Sequence, residues 1–208
     1  MPESSTLAAF VLASAALIVV PGPNLIYILN ATLSQGRRAG VMCAIGVEIG
    51  TLVHVIAGAL GIAAVIASST VAYQTLRIAG AVYLAFLALR ALQQPVELLF
   101  GDPMSRRHWL QLIREGALVN LLNPKVVIFF LAFLPQFMRG ANAHGQAIVL
   151  GAIFALMGLC IDLTYAVTGG LLRGWLTSQP TVIRWQRYFT AALYLSLALV
   201  TLLSGAES

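Results

Sequence analysis

Six apolar runs, each close to the length that crosses a bilayer, follow one another along this chain of 208 residues. A helix crossing ~30 Å of hydrocarbon needs about 20 apolar residues, since each residue advances its axis by about 1.5 Å. The runs extend from about Leu7 to Leu33, Gly40 to Ala67, Val71 to Leu92, Ala117 to Phe137, Ala147 to Leu172 and Tyr188 to Leu203. Composition decides against a soluble reading: 60% of the residues are hydrophobic, 9% are charged and the mean hydropathy is +0.90. A water-soluble domain carries roughly 25% charged residues to cover its surface. The expected fold is therefore an all-α integral membrane protein forming one membrane domain over residues 1–208. The same figures exclude a disordered or collagen-like chain, and Cys43 and Cys160 are too few for a disulfide-stapled module.

A net charge of +5 invites a nucleic-acid reading, but no basic run sits on a soluble module that would present it. The charge is better explained by topology. Eleven of the twelve basic residues are Arg, and most lie between the apolar runs. Loops 1–2, 3–4 and 5–6 carry Arg37, Arg38, Arg90, Arg106, Arg107, Arg114, Arg173, Arg184 and Arg187, whereas the opposite face has Arg77 and Arg139. Basic residues in short loops stay in the cytoplasm, so both termini are expected outside it. The segment Met1 to Thr6 has no Lys or Arg, so the first run is expected to remain as a span and not to be a cleaved signal. The connection from about 93 to 114 is expected to be a solvated cytoplasmic loop.

The sequence also repeats itself. Gly46-Val47-Glu48-Ile49 recurs as Gly158-Leu159-Cys160-Ile161, Tyr83-Leu84-Ala85 as Tyr194-Leu195-Ser196, and Pro23 of the first run has its counterpart in Pro124 of the fourth. Two units emerge, over about 6–92 and 115–204. Each holds an odd number of spans, so the second enters the membrane from the opposite side; inverted three-helix repeats are an architecture of secondary transporters.

Two runs carry breaks at matching places: Pro21-Gly22-Pro23-Asn24 and Asn123-Pro124-Lys125. Proline lacks the backbone N–H and clashes with the carbonyl four residues back, so each site breaks or kinks its helix. Within hydrocarbon the freed groups need partners in protein or in a water-filled cavity. Freed amides attract a carboxylate and freed carbonyls attract a cation or ammonium, the plainer alternative being a kink that shapes packing.

Few ionisable residues fall inside the runs: Glu48, His54, Lys125 and Asp162. Each is costly in hydrocarbon and should face the interior or pair. Two inward carboxylates suit proton or cation coupling, because burial disfavours their charged form. A static Lys125–carboxylate pair is the rival reading, and His54 reads as a hydrogen-bonded interior residue before it reads as a ligand. Asn24, Tyr27, Asn30, Asn120, Asn123, Gln136 and Tyr165 add neutral polar groups, whose ordinary use is interhelical bonding. Stripes of Gly and Ala permit close helix approach and allow a homodimer. The sequence holds no His-Glu-x-x-His, Gly-x-Ser-x-Gly or Walker loop and no Cys-His cluster, so neither an enzyme, nor a cofactor, nor a metal is expected. Uphill transport without a nucleotide site draws on an ion gradient.

Pro21-Gly22-Pro23, followed by Gly36-Arg37-Arg38-Ala39-Gly40, Gly46 and Gly50, resembles the lysine-exporter (LysE/RhtB) family of small amino-acid exporters. Asn123-Pro124-Lys125, the run from Phe129 to Phe137 and Asp162-Leu163-Thr164-Tyr165 extend the resemblance over nearly the whole chain. The resemblance implies a multi-pass permease of the bacterial cytoplasmic (inner) membrane that exports amino acids or related metabolites on the proton-motive force. It also implies substrate-binding roles for Pro21, Gly22, Pro23 and Asn24, for Asn123, Pro124 and Lys125, and an acidic-aromatic pair in Asp162 and Tyr165. A coupling role for Glu48 beside Asp162 rests on the physical argument alone. The expected partners are thus an amino-acid substrate, protons and the lipid bilayer. The alternative is a non-transporting membrane scaffold or accessory subunit.

Overall fold

A computed structural model of the chain describes residues 4–20, 22–68, 70–93, 104, 106–138, 143–177 and 180–203. Pro21, Arg139 and, of the expected loop, residues 94–103 and 105 lie outside the described residues. The regular structure among the described residues is entirely helical: α1 (Ser4–Val19), α2 (Pro23–Gln35), α3 (Arg37–Ser68), α4 (Thr70–Gln93), α5 (Trp109–Leu121), α6 (Pro124–Ile128), α7 (Ala143–Thr177) and α8 (Pro180–Leu203). Helices cover all six apolar runs. Two of them, over Arg37–Leu60 and His144–Gly169, are long and apolar enough to cross a membrane, and up to four spans result if each bent pair counts as one. Leu52, Ile56, Leu60, Leu156, Val167 and Leu199 point outward, the surface a lipid solvent requires.

Both anticipated breaks are present. Thr6–Val19 and Pro23–Gln35 meet at 50°, and Trp109–Leu121 meets Pro124–Phe137 at 51°. Gly22 is extended (φ −149°, ψ −173°), and Pro23 then occupies the first turn of α2, where a missing N–H costs nothing. Asn123 is extended in the same way, and its side chain accepts the Lys125 N–H while Pro124 opens α6.

Three boundaries depart from the sequence reading. The fourth run was expected to begin at about Ala117, yet α5 begins at Trp109, so 109–114 are helix and not loop. The polar first turns hold because Gln111 Nε2 donates to Glu115 one turn on (3.0 Å) and Arg107 pairs with the same carboxylate. Helix α8 likewise starts at Pro180, well before Tyr188, since proline fits a first turn. The fourth run does not continue as α-helix beyond α6: Phe129–Phe133 form a π turn and Leu134–Phe137 a 3-10 turn. Pro135 cannot donate to the Leu131 carbonyl, and the ladder shifts register on either side of it.

Helix α3 is the hub, packing against α2, α5 and α7, while α4 pairs with α8 and leans on the π turn. Glycine sets the closest approach. A Cβ at Gly46 would strike the Ile113 carbonyl, and one at Gly116 would lie 2.6 Å from the Cys43 carbonyl oxygen, so α3 and α5 touch backbone to backbone. Two apolar clusters result. One gathers Phe10, Leu17, Phe129, Phe130, Phe133 and Phe154; the other gathers Ile28, Cys43, Ala44, Val47, Leu112 and Ala166.

Candidate functional site

The two breaks cross near the junction of those clusters. Asn123 Nδ2 donates to Asn24 Oδ1 at 3.0 Å, tying the second break to the first. Lys125 reaches across and donates from Nζ to the carbonyls of Leu17 and Val20, both at 2.9 Å. Chemistry explains that choice: proline at position 21 has no N–H for the Leu17 carbonyl, four residues back, and an ammonium is the partner a helix C-terminus favours. An equivalent repair serves the other break. Pro124 deprives the Asn120 carbonyl, which accepts instead from Asn123 N–H (2.9 Å) and from His54 Nε2 (3.3 Å). His54 also stacks on Phe130, centroids 5.8 Å apart, and is an interior hydrogen-bonding residue.

Beside the crossing lies a cavity of about 30 Å³, lined by Gly22, Asn24, Glu48, Thr51, Asn120, Lys125, Gly158 and Asp162 among others. That volume accommodates a water molecule or two. Glu48 comes from α3, Lys125 from α6 and Asp162 from α7, and all three are buried, with 9%, 8% and 6% of their surface exposed. The static Lys125–carboxylate pair of the rival reading does not form as a salt bridge. Among the described residues the one ion pair within 4.0 Å joins Arg107 to Glu115, because two of the three Lys125 donors serve the α1 carbonyls. Glu48 Oε2 and Asn120 Oδ1 are buried without a hydrogen-bond partner. Asn120 Nδ2 donates to Thr51 Oγ1 (3.1 Å), which itself donates to the Val47 carbonyl (3.3 Å). Gly158 leaves room for this arrangement, since a Cβ there would lie 2.5 Å from Glu48 Oε1.

The structure thus gathers five of the anticipated residues, Gly22, Asn24, Glu48, Lys125 and Asp162, around one space. Pro23, Asn123 and Pro124 shape the breaks without lining it, and Tyr165 lies about one turn beyond Asp162, outside the lining. Thr51 and Asn120 are additional lining residues. Asn120 is one of the neutral polar groups noted in the sequence, whereas Thr51 was missed, its signal being spacing: it stands three residues from Glu48 on the same face of α3.

On the other side of the second apolar cluster, Tyr27 Oη bonds Glu115 Oε2 and the Leu112 carbonyl, both at 3.1 Å, and Arg107 closes the group.

Helices throughout the described residues, outward apolar surfaces and buried ionisable groups at the crossing of two broken helices are features that fit the class of membrane transport proteins. Comparison with known sequences gives the particular family: the LysE type translocator family matches residues 15–205, and the chain belongs to it. An uncharacterized membrane protein of Vibrio cholerae is 26% identical over 182 residues, covering 87% of this chain and 89% of that protein. The membrane protein YrhP of Bacillus subtilis is 26% identical over 166 residues (74% and 78%), and a homoserine/homoserine lactone efflux protein of Salmonella typhimurium is 24% identical over 169 (81% and 82%). No solved structure matches the chain.

Proposed function

We propose that the chain is a secondary transporter that exports amino acids or closely related metabolites from the cytoplasm of a bacterium by proton antiport. The observation that carries this reading is the gathering of the buried Glu48, Asp162 and Lys125, from three helices, around one small space. Buried ionisable groups are expensive in a membrane and mark solute and proton pathways. Family membership supports export, and the efflux relative supports a small polar solute such as an amino acid.

In this reading six spans form two inverted repeats, the first centred on α3 and the second on α7, with both termini outside the cytoplasm. Packing of α3 with α7 and of α4 with α8 supports the pairing of equivalent helices. Asp162 and Glu48 receive the substrate ammonium or a proton in turn, the third donor of Lys125 and the Asn24–Asn123 pair orient the carboxylate, and Tyr165 closes the α7 side. A water-sized space admits no amino acid, so loading requires the repeats to rock apart, as alternating access demands.

A scaffold reading has one observation in its favour: Lys125 is already engaged in repairing α1. Efflux separates the two. Cells expressing the protein and loaded with a panel of labelled amino acids should release one class selectively, and the release should collapse with a protonophore and in Asp162→Asn. Unselective leakage that ignores both treatments, with the protein present in the membrane, contradicts the proposal.

A further inference from the structure

A second recess, of about 480 Å³, opens at the Arg-rich end of the bundle, and neither the cavity nor the transport reading uses it. Three arginines line it: Arg38 from the first turn of α3, and Arg106 and Arg107 from the segment leading into α5. No Asp or Glu is among its lining residues that the structure describes, although Glu115 pairs with Arg107 from behind. The segment is held in place from α2, where Ser34 Oγ accepts the Met104 N–H (2.9 Å) and Gln35 Oε1 accepts the Arg107 N–H (2.7 Å). The recess is therefore built by hydrogen bonds and not by chance proximity of surface side chains.

Its depth in the membrane follows from the helices themselves. The apolar segments Pro23–Gln35, Arg37–Leu60 and Trp109–Leu121 all have an end here, which puts the recess at the boundary between hydrocarbon and water. Its lining is divided in the way that boundary is: cationic at the rim, with Met42 and Leu112 as an apolar floor. Trp109, on the wall, is 54% exposed, the amphipathic ring that sits at headgroup level. A soluble anion has no use for the floor or the tryptophan.

We propose that this recess binds the headgroup of an anionic phospholipid, its phosphate among Arg38, Arg106 and Arg107 and its glycerol and upper acyl carbons over Met42 and Leu112. Basic pockets between membrane helices recognise such headgroups by charge, at about a fivefold gain in affinity per arginine. Arg38 and Arg106 are exposed and carry no structural bond among the described residues, so they can be removed without disturbing the Arg107–Glu115 pair.

The test is thermal unfolding of the full purified chain in neutral detergent, titrated with short-chain phosphatidylglycerol, short-chain phosphatidylcholine or inorganic phosphate. Phosphatidylglycerol should raise the midpoint saturably. Phosphatidylcholine should leave it unchanged, and phosphate alone should reproduce little of the effect. In Arg38→Gln/Arg106→Gln the midpoint without lipid should match the unmodified chain, while affinity for phosphatidylglycerol falls roughly 30-fold. Arg38→Lys/Arg106→Lys should restore most of it, since charge carries most of the attraction. Equal stabilisation by the two lipids, full stabilisation by phosphate, or undiminished affinity in the glutamine variant would each overturn the assignment.

Discussion

Lys125 illustrates how one residue ties sequence to fold here. Its ammonium repairs carbonyls that the proline-rich break leaves without donors, so the only lysine in the chain joins the end of α1 to the start of α6. Removing it should cost stability as well as function. In Lys125→Met two buried carbonyls lose their partner, at about 1–3 kcal/mol for each unpaired group, and the unfolding midpoint should fall clearly. His54→Phe should be milder, about 0.5–1.5 kcal/mol, because Asn120 O keeps its bond from Asn123. Equal melting of Lys125→Met and the unmodified protein would show that the carbonyls are satisfied some other way. Gly158 makes the complementary case. An added methyl meets the end of a flexible carboxylate side chain, so Gly158→Ala should fold and reach the membrane yet lose most transport by displacing Glu48. Full efflux in that variant would remove Glu48 from the pathway.

At the scale of helices, breaks and close approaches matter more than propensity. Gly46→Ala should be far more damaging to folding than Gly158→Ala, since its Cβ meets the Ile113 backbone, which cannot yield without moving α5 off α3. Expression with intact membrane insertion but low thermal stability would be the expected outcome. Gly36, which joins α2 to α3 at φ 87° and ψ 173°, lies in a region open to glycine alone, and Gly36→Ala should cost about 1–3 kcal/mol in the same assay. Much of this level was legible in advance. The positions of both breaks followed from Pro23 and Pro124, and the inward facing of Glu48 and Asp162 from the cost of charge in hydrocarbon. The start of α5 was not, because apolar counting discards a first turn as polar as Gln111, Arg114 and Glu115 make it. The π turn was equally hidden: Phe129 to Phe133 read as ordinary helix, and only the register slip ahead of Pro135 makes them otherwise. Composition could show that Lys125 must find a partner, but not that backbone carbonyls would win over Asp162.

For the molecule as a whole, residues of both apolar clusters, Leu17 and Phe154 of one and Val47 of the other, border a small charged space. In the proposed cycle the space opens to one side at a time, and protonation of Glu48 and Asp162 decides when. Purified protein reconstituted into liposomes, given an inward-acidic or a null pH gradient and a labelled amino acid from the class selected in cells, tests that claim most directly. The account predicts that the gradient drives amino-acid accumulation in the unmodified protein and that Asp162→Asn, equally folded and equally incorporated, accumulates none. Equal flux with and without the gradient, or gradient-driven accumulation undiminished in Asp162→Asn, would contradict it.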